Sequence, residues 1–254
     1  TPESKKGRII VGTIGQSDLI AKAGVDLSPI KSKKEAFLLT VSSTGKLVIA
    51  GSDKRGTAYG VMELSRLIGV SPWEWWADAT PAKKEIFQLP VSYRNMQSPS
   101  VEYRGIFIND EDWGLTPWSW QTYEPSNVKG QIGPKTHERI FELMLRLRAN
   151  TFWPAMHGCS VPFYFTPGNK EVADKFGIFI GTSHCEPMMR NTNGEWKRDG
   201  VGEYDYVHNS AHVLSFWEQR VKEVAELDNL YTLGMRGVHD GAMNGAKTIE
   251  EQKA

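Results

Sequence analysis

The chain has 254 residues, with 30 Lys and Arg against 30 Asp and Glu. Zero formal charge argues against a nucleic-acid binder, which needs surplus cations to displace phosphate counterions, and gives no global reason for membrane-surface binding. A hydrophobic share of 40% is enough to build a core, no apolar run approaches the roughly 20 residues of a membrane span, and two cysteines are too few for a disulfide scaffold.

The chain opens at Thr1-Pro2 without Met or a signal sequence, as expected after removal of a leader or at a fragment boundary. Residues 1–97 read as a small α/β domain. Gly7 to Gly12 is a short apolar run, and Ser17 to Ala23 a short helix with Ser17 or Asp18 as its cap. Ala36–Val41 and Lys46–Ala50 are β-rich runs joined by Ser43-Thr44-Gly45, which predicts a hairpin. Asp53 leads into a helix whose apolar face is predicted as Val61, Leu64, Leu67 and Ile68, with Gly69 as its stop. Trp73, Trp75 and Trp76 then crowd one loop, either as a hydrophobic plug between two domains or as sugar-stacking rings.

From residue 98 the rhythm becomes strand, loop, helix, repeated. Tyr103–Ile108 reads as a buried strand, followed by a long polar and aromatic loop and a helix over Thr136–Ala149 with an Ile140, Leu143, Met144, Leu147 stripe. A strand over Thr151–Met156, a helix over Lys170–Phe176 and a strand over Ile178–Thr182 come next. A helix over about Asn209–Glu226 and a fourth strand over Tyr231–Val238 complete four βα units. Its apolar face is predicted as Val213, Phe216, Trp217, Val221 and Val224. Unbroken apolar strands imply a parallel sheet covered on both faces, and chemistry in such sheets gathers at the strands' carboxyl ends.

Each predicted strand ends in proton-handling residues: Asn109-Asp110-Glu111-Asp112, then His157, then His184 with Glu186, then His239-Asp240. Carboxylates and imidazoles facing one mouth suit general acid–base chemistry. Arg236 is a fixed cation that could orient Asp240 or grip an acidic substrate. Arg190 extends the His184 and Glu186 set, and Trp113 and Trp153 are expected as pocket walls. The sequence lacks a zinc helix, paired CxxC motifs, a phosphate-binding loop and a nucleophile elbow, so neither metal nor cofactor is expected; a metal site among His157, His184, His239 and the carboxylates is a minor alternative that no spacing demands. Cys159 and Cys185 read as buried thiols, with a Cys–His nucleophile the minor alternative.

Four strings resemble glycoside hydrolase family 115, the xylan α-1,2-glucuronidases, in the same order: Tyr103–Gly114, Leu147–His157, Ser183–Met188 and Gly234–Asp240. The stretch Asp53 to Gly69 resembles the small α/β domain that precedes the barrel in this family and in β-hexosaminidase-like enzymes. The resemblance implies an inverting, exo-acting hydrolase that removes glucuronic acid or its 4-O-methyl ether. It implies Asp240, Asp110 and His184 as catalytic positions and Arg236 as the contact for the sugar carboxylate. Asn109, Asp112, Trp113, Trp153, His157, Glu186, Arg190 and His239 are expected to line the substrate. An inverting mechanism pairs an acid with a base about 6.5–9.5 Å apart, and the second carboxyl is expected after Ala254.

A (β/α)8 barrel takes about 250 residues, so residues 98–254 are expected to be its first half, inactive alone. Two other readings remain: a hexosaminidase-like glycosidase of the same two-domain layout, and a non-catalytic glycan-binding module. The expected partner is a glucuronic-acid-substituted oligo- or polysaccharide, with no nucleic acid, no membrane span, and a homodimer formed through domains outside this chain. The expected location is the bacterial periplasm or exterior.

Overall fold

The structure, a computed structural model, describes residues 9–109, 111–234 and 236–253, the side chains of Glu111 and Gln252 apart. The chain divides into two compact units, Thr1–Arg104 with Leu143–Ala149, and Gly105–Glu142 with Asn150–Ala254. The sequence sets the boundary after residue 97; here the division falls after Arg104, and the first unit also takes the end of a later helix.

The first unit is a four-stranded mixed sheet. Its strands are β1 (Ile9–Thr13), β2 (Phe37–Val41), β3 (Leu47–Gly51) and β4 (Arg94–Gln97), in the order β1-β3-β2-β4. β2 and β3 form the predicted antiparallel hairpin, turned at Gly45, whose φ of 73° favours glycine. β1 adds in parallel to β3, and β4 in antiparallel to β2. β4 escapes the sequence reading because Arg94-Asn95-Met96-Gln97 carries no apolar alternation.

Both faces of β2 and β3 are covered, which is why they read as unbroken apolar runs. On one face the helices α1 (Asp18–Ala21) and α2 (Ser28–Lys31) bring Ile20 and Ile30 against Leu38, Val48 and Ala50. Ser17 caps α1, its Oγ accepting from the Ile20 amide. The other face takes α3 (Lys54–Leu67), capped by Asp53, whose carboxylate accepts from the Gly56 amide. The predicted apolar stripe of α3 is not its buried face. Val61 and Ile68 are exposed, and the helix docks on Gly56, Tyr59, Gly60 and Glu63. Glycine decides this by close approach: a Cβ at Gly56 would lie 2.1 Å from the Ala36 carbonyl oxygen.

The second unit holds a three-stranded parallel sheet, β5 (Gly105–Phe107), β6 (Thr151–Trp153) and β7 (Phe179–Ile180), in that order. The predicted buried strand at 103–108 is shorter and sits at the sheet edge, with Ile106 47% exposed. The predicted fourth strand at 231–238 does not form among the described residues. A single parallel bridge instead joins Ile180 to Asn229, just after α8 (Tyr206–Val224).

The loop after β5 coils through Glu111–Leu115, α4 (Thr116–Trp118) and Ser119–Tyr123, the two flanking turns being π-helical. Within α5 (Pro134–Arg146), Ile140 and Met144 of the predicted stripe are buried but Leu147, just past its end, is exposed. His137 on α5 meets Phe141, Phe152 and Phe163 edge-on or tilted, with ring centroids 5.0–5.7 Å apart, and forms the centre of the aromatic core.

α6 (Asn169–Phe176) ends at Gly177 in the left-handed conformation. α7 (Thr192–Asp199) is an element outside those predicted; its charged sequence hides Glu195 and Trp196, which are buried. On α8, Val213, Phe216 and Val224 point inward as predicted, and Arg220 joins them. The short α9 (Ile249–Lys253) follows. Among the described residues no helix is long and apolar enough to cross a membrane.

Candidate active site

The carboxyl ends of β5, β6 and β7 and the segment after α8 carry Asp112, His157, His184 and Asp240. The parallel sheet delivers these ends to one side, because every strand runs the same way. Asp240 is the hub. Its Oδ1 accepts from His184 Nε2 at 2.8 Å and from Cys185 Sγ at 3.3 Å. Its Oδ2 lies 3.3 Å from His239 Nδ1. Arg236 Nη2 donates to the Asp240 carbonyl at 3.1 Å, and Nη1 lies 3.6 Å from Oδ1.

His239 holds a left-handed φ of 58°, uncommon outside glycine, which turns the chain between Arg236 and Asp240. The His239 ring sits 5.8 Å from that of His157, whose Nδ1 lies 3.8 Å from Asp112 Oδ2. The result is a continuous row from Asp112 through His157, His239 and Asp240 to His184.

The hydrogen bonds from His184 and Cys185 hold the Asp240 carboxyl below the ordinary aspartate range. Asp240 is therefore a carboxylate at neutral pH, suited to accept a proton and unsuited to donate one. Burial and the neighbouring Asp240 push the Cys185 thiol up to about 11. A thiol that stays protonated does not serve as the nucleophile of the Cys–His alternative.

The remaining predicted residues divide in two. Trp153, on β6, lies edge-on to Phe107 at 5.7 Å, and Gly181 leaves room for it: a Cβ there would sit 2.3 Å from the indole nitrogen. Trp113 is 88% exposed and Asn109 is exposed. Asp110 lies outside the described residues. Glu186 is buried, and its carboxylate accepts from the Ser183 amide at 3.0 Å, so it fixes the loop that carries His184.

Arg190 does not join the row. It is 4% exposed; its Nη1 pairs with Glu195 at 2.7 Å and its Nε donates to the Phe216 carbonyl at 2.8 Å. Cys185 is buried as expected, whereas Cys159 is exposed; what the sequence does not show is that Cys185 meets Asp240. Its place beside His184 at a strand end is legible in the sequence, but its partner lies 55 positions away. A separate groove of about 500 Å³, lined by Met188, Leu214, Trp217 and Leu233, is apolar and carries none of this chemistry.

Residues 96–253 match the sequence pattern of Glycosyl hydrolase family 115. The chain belongs to that family.

As a family 115 member it is a homologue of glycoside hydrolases. Its structure is similar to that of BtGH115A, a family GH115 4-O-methyl-α-glucuronidase with specificity for decorated arabinogalactans. The two share 70% identity and a TM-score of 0.95, over 97% of this chain and 32% of that one. The chain thus spans about a third of the length of this relative. Two structures of a GH20 exo-β-N-acetylglucosaminidase from Vibrio harveyi align at TM-scores of 0.41 and 0.40, with 16% and 14% identity over 80% of this chain and 31% of theirs. Nothing about activity follows from scores of that size. Among curated proteins none matches.

Proposed function

We propose that the protein carrying this family 115 chain removes α-linked glucuronic acid, or its 4-O-methyl ether, from decorated plant polysaccharide. The carrying observation is the Asp240 carboxyl group, hydrogen-bonded by His184 and Cys185 and flanked by Arg236 in a solvent-open row of imidazoles. Arabinogalactan side chains are the preferred substrate, supported by the specificity of the 70% identical relative; xylan side chains are the alternative.

Asp240 is the base that takes a proton from the attacking water. Arg236 meets the sugar carboxylate with its guanidinium fork. His157 and His239 hydrogen-bond the sugar hydroxyls, and Trp113 and Trp153 offer flat rings to its apolar face. Inversion requires a protonated acid on the opposite side, about 6.5–9.5 Å from the base. Asp110 or a carboxyl group supplied from outside this chain takes that part. The parallel strands β5 to β7 and the Asn229 segment act as the first half of a (β/α)8 barrel, completed by further chain. Polymer side chains of this kind place the enzyme in the periplasm or outside the cell.

The test is glucuronic acid release by the full-length protein from arabinogalactan and from glucuronoxylan, in the wild type and in Asp240→Ala. Expected is release from arabinogalactan first, lowered by about two orders of magnitude or more in the variant. Normal turnover in Asp240→Ala would remove Asp240 from the mechanism.

A further inference from the structure

We propose that His184, Cys185 and Asp240 form a binding site for a zinc-class divalent cation. Their ligand atoms, an imidazole nitrogen, a thiol sulfur and a carboxylate oxygen, all lie within 4.8 Å of one another. Two of them, His184 Nε2 at 2.8 Å and Cys185 Sγ at 3.3 Å, converge on the same oxygen, Asp240 Oδ1.

A tetrahedral zinc ion holds nitrogen and oxygen at about 2.0–2.2 Å and sulfur at about 2.3 Å, so its ligand atoms stand roughly 3.3–3.7 Å apart. The sulfur–oxygen pair is already close to that spacing, and the nitrogen–oxygen pair reaches it by parting about half an ångström. Mixed sulfur, imidazole and carboxylate donors select zinc and its neighbours over calcium and magnesium, which prefer oxygen alone.

The surroundings fit a ligand set. Asp240 Oδ2 faces His239 Nδ1 at 3.3 Å, which holds the carboxylate so that Oδ1 alone faces the ion. The backbone beneath is pinned by Glu186 to the Ser183 amide and by Thr192 Oγ1 to the Cys185 carbonyl at 3.1 Å. Cys185 approaches from the buried side at 1% exposure, while the His184 and Asp240 side chains are 62% and 60% exposed. The ion can therefore enter and keep water in its fourth position. Arg236 Nη1, 3.6 Å from Oδ1, opposes the ion by like charge.

On binding, the N–H···O and S–H···O hydrogen bonds give way to three bonds to the metal. The thiol proton passes to solvent, the Nε2 proton passes to Nδ1 or solvent, and no electrons are transferred. Because the ion takes up Asp240, it competes with the glycosidase chemistry; that consequence alone rests on the proposed function.

The experiment is titration of cobalt(II), the spectroscopic stand-in for zinc, into the full-length protein, followed by displacement with zinc. Expected is one equivalent bound with a near-ultraviolet thiolate-to-cobalt charge-transfer band and intense tetrahedral d–d bands, both lost on adding zinc. Cys185→Ser loses the charge-transfer band, Cys159→Ser keeps it, and Arg236→Ala binds cobalt about tenfold more tightly. Absence of the band in the wild type, or its survival in Cys185→Ser, overturns the site. If the band forms but zinc leaves glucuronic acid release unchanged, the metal site stands and Asp240 as base falls.

Discussion

His184 Nε2 and Asp240 Oδ1, 56 positions apart in the chain, stand 2.8 Å from each other. The pair joins the end of β7 to the segment after α8, and its hydrogen bond is the leading cause of the lowered Asp240 pKa. Replacing His184 by Phe is expected to raise the carboxyl toward the ordinary aspartate value. A base with a lowered pKa stays active above that pKa and loses activity as pH falls through it. The acid limb of kcat/KM against pH therefore moves to higher pH in His184→Phe. A profile whose acid limb does not move would show that His184 does not tune Asp240.

Arg236→Ala is expected to weaken binding of an acidic sugar by roughly tenfold to a hundredfold, and of its neutral methyl ester far less, since a charge-assisted hydrogen bond contributes about 1.5–3 kcal/mol. Inhibition constants for the two compounds decide the matter. Equal losses would assign Arg236 only to holding the Asp240 carbonyl.

His137 links stability to pH. Burial lowers its pKa to about 4, and its Nδ1 lies 3.0 Å from the Gly133 carbonyl. The folded state thus keeps a neutral ring where the unfolded state, with a pKa near 6.5, binds a proton. The stability contribution is complete above about pH 6.5 and is lost as pH falls toward 4, by up to about 3 kcal/mol. Urea unfolding of His137→Phe should show a shallower decline across that window than the wild type. Parallel curves would place the acid sensitivity elsewhere.

Glu195 bridges two buried arginines, which also pair with Asp199 and Glu223. Its Oε2 lies 2.7 Å from Arg190 Nη1 and 3.0 Å from Arg220 Nη2, with all three side chains almost fully buried. Removing one partner of such a set leaves charge unpaired in a low-dielectric interior and costs about 3–5 kcal/mol. Glu195→Ala is expected to lower the thermal midpoint by several degrees, measured by calorimetry, whereas Glu226→Ala on the exposed surface should not.

Gly56→Ala tests the docking of α3. The added Cβ meets a backbone carbonyl at 2.1 Å, so the helix must shift, with an expected loss of about 1–3 kcal/mol or more. Helix propensity favours alanine by up to about 1 kcal/mol, so an unchanged or raised midpoint would show that the helix relaxes freely.

The sequence by itself determined what depends on neighbours along the chain. The β2–β3 hairpin, the Ser17 cap, the Gly69 stop and the placing of polar clusters after apolar strands were all legible. Each rests on turn chemistry, capping or periodicity within a few residues. Only the tertiary structure decided which of those residues meet. It turned α3 onto its glycines rather than its leucines, because close approach to Ala36 rewards the missing Cβ more than a partial apolar stripe rewards burial. It sank Arg190 against Glu195, left the 231–234 and 236–238 residues outside the sheet, and set the buried Cys185 beneath Asp240. Pairings across 50 or more positions leave no periodic mark in a single chain, so strand-end position pointed to the site and folding selected its partners.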